Sequence, residues 1–535
     1  MIWRKRGIPV NLTEKINNTF NLYHNKTAIL DDSRTLSYRQ LDELTRGVAA
    51  GLRSRGVGKG DVVAIECPER ADSIVLMIGT IRAGAAYCVI PEAYPDHRKE
   101  KMKSLVQAKV SLHTIAGAGG GREAALPETE RQPDSLLYII FTSGSTGEPK
   151  AVAIEDRSIG KIVNEPSFYR GEIMGQLAPL EFDASVYEIF GGLLNGMTLK
   201  LISKDDSLDC ETVPERFDGI DTLFLTTRLF NLYVDEAPEL FRKVSLVLTG
   251  GERCSVHHLQ EAARYCTVLH VYGPTETTVF ATAHRVDGTE LQMPIGKLFD
   301  QGAFMIVDGD NLAVPAGQQG ELLIADSGVM RGYFGNAEAS SRALLELDGR
   351  RFYRTGDTVY LDAEEEIIYV ERKDRQVKIS GYRIELGEVE KCAYGFGLQK
   401  DCLAHYDGQR LMLYVKDQVN LEQLRGHLRS RLPEYMVPTV KVVDIIPMNT
   451  NGKTDISEII NGNSMASNNR NEIMQVMTNV LKSEIAAEQT FLDLGGDSIK
   501  AMEIIWQLGS KGYQLDLDML FSRTLGEIAD NVSHG

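Results

Sequence analysis

Residues 136–154 read LLYIIFTSGSTGEPKAVAI: an apolar run, a loop of hydroxyls and glycines, a lysine, and a second apolar run. The first run reads as a buried strand and the second as its partner, with the Gly, Ser and Pro between them marking a loop. Glycines such as Gly144 and Gly147 let backbone amides approach a phosphate closely. Thr142, Ser143, Ser145 and Thr146 add hydroxyl donors, and Lys150 adds charge. The loop therefore reads as a phosphate clamp. It is not a P-loop, because the spacing G-x-x-x-x-G-K-S/T is absent and Lys150 leads through Ala151 into a strand.

On the N-terminal side, from Leu36 to about Val89, helical periodicity (YRQLDELTRGVAAGLRSRG) alternates with short apolar runs such as DVVAIE. That pattern predicts α/β layering, continuing to about residue 370. The Gly-rich interval TIAGAGGGREAALPETERQPD reads as a surface loop within it. From Asp374 the pattern changes to a compact α+β segment ending near Ile459. The Asn/Ser-rich stretch NGNSMASNNRN then reads as a linker, and the remainder is helical throughout. The predicted division is 1–373, a large α/β core; 374–459, a small α+β subdomain; 460–470, a linker; and 471–535, an all-α four-helix domain.

The chain has 535 residues, too many for one core, with 43% apolar and 25% charged residues, as in ordinary globular proteins. Its formal charge of −17 argues against nucleic acid or an anionic membrane as a partner, since either would need a basic face. The seven cysteines are scattered without a C-x-x-C pair, which points to reduced thiols. No run approaches membrane-spanning length, so a cytoplasmic location is expected.

Near the C-terminus, FLDLGGDSIKAMEII places Gly495, Gly496 and Asp497 just before Ser498, which opens an amphipathic helix. Glycines permit a tight turn, and a helix N-terminus favours an attached phosphate. Two other patterns lead nowhere. His257 and His258 sit in HHLQEAA without the Asp-Gly that a condensation motif requires. The glycines of RGVGKGD follow a helix and precede a strand, the reverse of a dinucleotide fingerprint.

Taken together, FTSGSTGEPK, FDASVYEIF, LTGGER, VYGPTETT, GELLIADSGVMRGYF, YRTGD, ERKDRQVKISGYRIELGEVE, NGKTD and LGGDS resemble the amino-acid-activating adenylation domains of nonribosomal peptide synthetases, joined to a peptidyl carrier protein. These domains lie within the larger acyl-adenylate-forming family. The resemblance runs over nearly the whole chain, and nine motifs in order make it specific. Ala151 and Glu371 replace glycines usual in the family, without removing a charge the chemistry needs.

The resemblance implies ATP, Mg2+ and a 4′-phosphopantetheine arm on Ser498. It implies that Tyr272 stacks on adenine beside Gly250 and Gly251, that Glu276 ligates magnesium, and that Asp357 and Arg372 hold the ribose end. Glu252, Gly273, Thr275 and Tyr369 complete the implied nucleotide set. Lys453 would touch both the substrate carboxylate and the α-phosphate, with Asp374 as hinge. Asp183 would pair with the α-ammonium of an amino acid. Tyr187, Phe224, Val247, Thr249, Val271, Val279 and Phe280 would line a side-chain pocket with no second charge. A neutral, aliphatic amino acid of small to medium size is therefore expected.

A freestanding adenylation–carrier didomain is expected to need a phosphopantetheinyl transferase, and a condensation or tailoring enzyme acting in trans. Two rivals are an acyl-CoA ligase-like enzyme, opposed by Asp183 and LGGDS, and an inactive scaffold, opposed by the intact set Lys150, Glu276, Asp357 and Lys453.

Overall fold

The computed structural model describes residues 11–119, 130–144, 148–300, 302–379, 381–398, 402–408, 410–416, 420–443, 473–481, 489–494, 496, 498–511, 513–515, 517–531 and 533–534. Packing divides the chain into a larger unit, running to position 399 and including Tyr406–Leu413 and Asn420–Thr439, and a smaller one comprising the remaining residues.

The larger unit is built on two mainly parallel sheets. The first has nine strands, with Thr267–Tyr272, Leu246–Gly250, Thr222–Thr226, Ile173–Gln176, Thr198–Leu201 and Thr27–Leu30 parallel and adjacent in that order. The second has six, with Leu136–Thr142 central and antiparallel to Lys150–Glu155. Helix Arg70–Arg82 is buried on nearly every side, and its Ile74, Leu76, Met77 and Ile81 share one core with Ile29, Leu199, Val63 and Ile140 of the two sheets. Its apolar residues occupy all faces because it has no solvent side, as a helix between two sheets requires. Helix Tyr38–Ser54, begun by a reciprocal Ser37–Gln40 cap, covers the same core, and Gly56 at φ +75° follows its end. The turn read into RGVGKGD is therefore a helix stop.

A second core lies on the other face of the nine-stranded sheet, where Leu223, Leu225, Val247 and Val268 meet Phe230 and Leu259 of helices Thr227–Glu236 and Val256–Ala263. A five-stranded antiparallel sheet follows, containing the long strand Arg350–Leu361 paired with Ile367–Arg372. The hairpin Gln376–Ile379 and Tyr382–Glu385 comes next and packs within the larger unit.

One departure from the loop reading concerns Arg131. It lies in the Gly-rich interval, yet it is buried, with two 2.7 Å bonds to Asp156 and three to main-chain carbonyls. A buried arginine needs all its donors met, and this one ties the loop end to the core.

In the smaller unit, helices at 473–481, Ser498–Ser510, Leu517–Ser522 and Leu525–Asn531 enclose Ile473, Met477, Phe491, Ile504, Leu508, Leu520 and Ile528. A two-residue antiparallel pair, Tyr513–Gln514 with Ser533–His534, joins these helices.

Candidate functional site

Three adjacent parallel strands end at one place. Thr222–Thr226, Leu246–Gly250 and Thr267–Tyr272 bring Phe224, Gly250, Val271 and Tyr272 to the wall of a cavity of about 810 Å³. Ligand sites form outside the carboxyl ends of parallel strands, where side chains and free amides converge. Gly250 and Gly273 are needed because main chains approach closely there. A Cβ on Gly250 would lie 1.9 Å from the Val271 carbonyl oxygen, and one on Gly273 would lie 2.5 Å from that of Val279.

A chain of charge-assisted bonds runs through the cavity lining. The Tyr272 hydroxyl donates to Asp357 Oδ2, Arg372 Nη1 donates to Asp357 Oδ1 at 2.8 Å, and Arg372 grips Asp374 bidentately at 2.8 and 2.9 Å. Asp357 and Arg372 are cross-strand partners, so the sheet itself sets their spacing. Burial opposes the charge on Arg372, but its bonds to Asp374 and the nearby Asp357 raise its pKa above the ordinary value. Tyr369, on the same strand as Arg372, has its hydroxyl pushed up to about 12 by burial and by Asp357.

Asp183, Phe224, Val271, Val279 and Phe280 line the cavity as well. Burial raises the Asp183 carboxyl, and a bond from Thr275 and the charge of Lys378 work against that rise. The Phe224 and Phe280 rings are 5.5 Å apart. Thr278 and Val279 both have positive φ, +59° and +65°, a conformation costly for β-branched residues, and Thr278 Oγ1 is anchored 2.7 Å from the Gly328 carbonyl.

Three pocket expectations are corrected by geometry. Val247 belongs to the second core, on the opposite face of the sheet, and Thr249 shares its parity; the residues of that strand on the cavity side are Leu248, in the first core, and Gly250, in the wall. Tyr187 stands behind the wall, its ring 5.2 Å from Phe280 and its hydroxyl 2.7 Å from the Phe168 carbonyl. It supports Phe280 without lining the cavity.

The 136–154 segment forms the expected strand–loop–strand, with Thr142 opposite Lys150. Ser145, Thr146 and Gly147 lie outside the described residues, as does Lys453. Thr142 lines the cavity. Ser143 Oγ donates to the Arg383 carbonyl at 2.7 Å and accepts from Glu385 N at 2.9 Å, while Gly144 N donates to Glu388 Oε2 at 3.3 Å. Lys150 Nζ stands 5.6 Å from the Tyr333 ring centre and 4.0 Å from Glu385, and burial lowers its pKa. Glu252 accepts from Gly381 N at 2.8 Å, and Gly251 and Thr275 complete the wall near Tyr272.

Glu276 is fully buried, with Oε1 2.8 Å from the Tyr333 hydroxyl and Oε2 2.5 Å from Arg383 Nη1. Burial would raise this carboxyl, but the Arg383 charge and both bonds hold it below the ordinary value. In this arrangement the Arg383 guanidinium meets the charge of Glu276, the carboxylate that the resemblance assigns to magnesium. Among the described residues no cluster of three His, Cys, Asp or Glu offers an alternative.

Arg383, Lys378, Tyr333 and Glu181 also belong to this region and were not singled out from the sequence. Arg383 and Lys378 stand in the quoted motif ERKDRQVKISGYRIELGEVE, where basic residues in a short strand pair were the available signal. Glu181 lines the cavity, and burial lifts its carboxyl to about 7. His258 pairs with Asp235 at 3.2 Å, as an ordinary helix residue does.

In the smaller unit Ser498 is the first residue of its 13-residue helix. Gly496 before it is required, since a Cβ there would lie 2.5 Å from the buried Phe491 ring. A helix start after a tight turn suits a serine bearing a phosphodiester-linked arm.

A family model described as "AMP-binding enzyme" matches residues 17–334, and one described as "Phosphopantetheine attachment site" matches residues 471–532. Tyrocidine synthase 3 of Brevibacillus parabrevis is 33% identical over 556 residues, covering 95% of this chain but 9% of its own length. Bacitracin synthase 1 of Bacillus licheniformis is 30% identical over 545 residues, covering 92% of this chain and 10% of its own length. The chain thus spans a small part of the curated relatives it matches. Among solved structures, PA1221, an NRPS protein containing adenylation and PCP domains, has 25% identity and a TM-score of 0.72, covering 83% of this chain and 96% of that one. Its holo form bound to a vinylsulfonamide inhibitor has 24% identity and a TM-score of 0.74, covering 97% and 96%. ATP and 4′-phosphopantetheine are the cofactors of these two domains. The chain belongs to the AMP-binding enzyme family, as an AMP-forming adenylation enzyme of the nonribosomal peptide synthetase kind that carries a phosphopantetheine attachment domain on the same polypeptide.

Proposed function

We propose that this chain activates a neutral, aliphatic α-amino acid of small to medium size and loads it onto its own carrier serine, Ser498. A carboxylate oxygen of the amino acid attacks the α-phosphorus of ATP, the bond to pyrophosphate breaks, and aminoacyl-AMP results. Two anions must meet in this step, so positive charge has to be brought to them. Lys150 and Lys453 are the residues we assign to that task. Tyr272 takes the adenine against Gly250 and Gly251, and Asp357, oriented by Arg372, accepts from the ribose hydroxyls. Asp183 takes the α-ammonium group. The phosphopantetheine arm supplies the thiol that receives the aminoacyl group as AMP leaves.

We assign residues 374–459 to a subdomain that turns about Asp374, so that Lys453 approaches for activation and withdraws for transfer. Residues 460–470 then serve as the linker and 471–535 as the carrier. A phosphopantetheinyl transferase must act on Ser498 first, and a condensation or tailoring enzyme in trans takes the product. We place the protein in the cytoplasm, a reading supported by seven cysteines that form no disulfide and by the lack, among the described residues, of any helix long and apolar enough to cross a membrane.

The observation that carries this reading is the carboxylate of Asp183 in a cavity wall to which Phe224, Val271, Val279 and Phe280 also contribute. Such a wall selects an ammonium-bearing substrate with an apolar side chain. Intact-mass measurement of the phosphopantetheinylated protein, offered mixed amino acids with ATP, tests it. Loading of a single neutral aliphatic residue is expected. Preference for an acidic or basic amino acid would refute the pocket reading, and no loading at all would refute the transfer.

A further inference from the structure

Val279 and Phe280 give the cavity part of its apolar wall, and Val279 follows Thr278 in left-handed backbone that β-branched residues keep only where their surroundings impose it. Two lines of contact lead from these wall residues to a single side chain outside the cavity, that of Lys161 on helix Asp156–Val163. In the first, Thr278 Oγ1 donates to the Gly328 carbonyl at 2.7 Å, Gly328 N donates to Asp326 Oδ1 at 2.8 Å, and Asp326 Oδ2 accepts from Lys161 Nζ at 2.7 Å. In the second, the Phe280 ring meets Phe168 edge-on at 5.8 Å, Phe168 meets Phe299 at 4.8 Å, and Lys161 Nζ lies 5.6 Å from the Phe299 ring centre. Gly328 lets the first line close up: a Cβ there would collide with Lys161 Nζ and lie 2.5 Å from the Thr277 carbonyl oxygen.

The Lys161 and Asp326 side chains are both 0% exposed. Taking two charges out of water costs about as much as their attraction returns, so stability alone gives little reason for such a pair, and apolar residues of similar volume often serve as well. What apolar residues do not supply is direction. Asp326 accepts from a main-chain amide with one oxygen and from the ammonium with the other, which fixes the loop 326–328 against the helix that carries Lys161. We propose that the Lys161–Asp326 pair positions Val279 and Phe280 and so sets amino-acid selectivity from behind the cavity wall. The two are positioning residues that act through Gly328, Thr278 and Phe299. This rests on the adenylation reading above. The neighbouring tether, from Met330 N to the Glu276 carbonyl at 2.8 Å, is main chain to main chain and does not depend on the pair. Removing the pair should therefore change which amino acid is used while the nucleotide contacts hold.

The test is ATP–pyrophosphate exchange by the full chain, with alanine, valine, leucine and isoleucine as probes. Lys161→Met combined with Asp326→Leu removes both charges together and leaves neither stranded in the interior. In that protein the ratio of kcat/KM between the two best probes should shift about tenfold, the low end of what one methylene is worth in an apolar pocket, with KM for ATP within about twofold of the unmodified sequence. Gly328→Ala keeps the pair but displaces it, and should move the same ratio in the same direction. A purely structural role gives a different result, in which kcat/KM falls by one factor for every probe, in step with lower thermal stability. That uniform fall, or an unchanged ratio in both variants, would overturn the proposal and leave the adenylation reading intact. Absence of exchange with any probe in the unmodified sequence would overturn the proposal together with the reading it rests on.

Discussion

Tyr272, Asp357, Arg372 and Asp374 form a relay of charge-assisted bonds along the cavity, while Phe224, Val271, Val279 and Phe280 give the same cavity, which Asp183 also lines, its apolar surface. The first set is defined by polar partners with fixed directions, and the second by volume and shape. Polar partners tolerate almost no exchange, because each buried charge depends on the next. Apolar walls tolerate exchange at the expense of selectivity. The contrast separates the part of the site that should be uniform in its chemistry from the part that sets which substrate is used.

The sharpest way to break this contrast is at Asp357. Asp357→Asn keeps the volume but leaves Arg372 facing a neutral amide, and kcat/KM for ATP in pyrophosphate exchange should fall about 100-fold, from the loss of roughly 2–3 kcal/mol of charge-assisted bonding. A change below threefold would show that the relay is not essential to the nucleotide end. Asp183→Ala should come next. Its kcat/KM for the amino acid should drop about 20-fold, while the desamino analogue is unaffected. If both substrates lose equally, Asp183 acts on structure and not on the ammonium. The smallest effects come from a pair of substitutions on opposite faces of the sheet. Phe280→Ala should shift preference about tenfold toward larger side chains. Val247→Ala should leave preference unchanged and lower stability by roughly 2 kcal/mol, measured by denaturant unfolding. A selectivity change at Val247 would restore the register expected from the sequence.

The same contrast explains what could be read from the sequence. The strand pair flanking the hydroxyl-rich loop and the Asp357–Arg372 contact are legible because polar residues in fixed motifs have few ways to be buried. The strand Leu246–Gly250 is not, because it is buried along its whole length. A parallel strand covered on both faces shows no alternation between apolar and polar residues, so nothing local tells which parity meets the cavity. Sequence alone therefore reads Val247 and Thr249 as wall residues, whereas Gly250 of the other parity lines the cavity and Leu248 lies in the first core. Arg383 was hidden for a different reason. Its partner, Glu276, lies far away in sequence, and a lone arginine in a strand most often faces water. Tyr187 lies one layer behind the wall, and an aromatic there has the same local sequence pattern as one in the wall.

The two left-handed residues Thr278 and Val279 bear on how such an enzyme could be redirected to a new amino acid. Val279 meets the cavity from a left-handed backbone, and Thr278 beside it is fixed by its bond to the Gly328 carbonyl. Copying the side chains of a differently selective relative onto this frame would transplant the furniture without the room. A redesign that carries over 273–280 together with the anchoring loop around Gly328 would keep contour and composition matched.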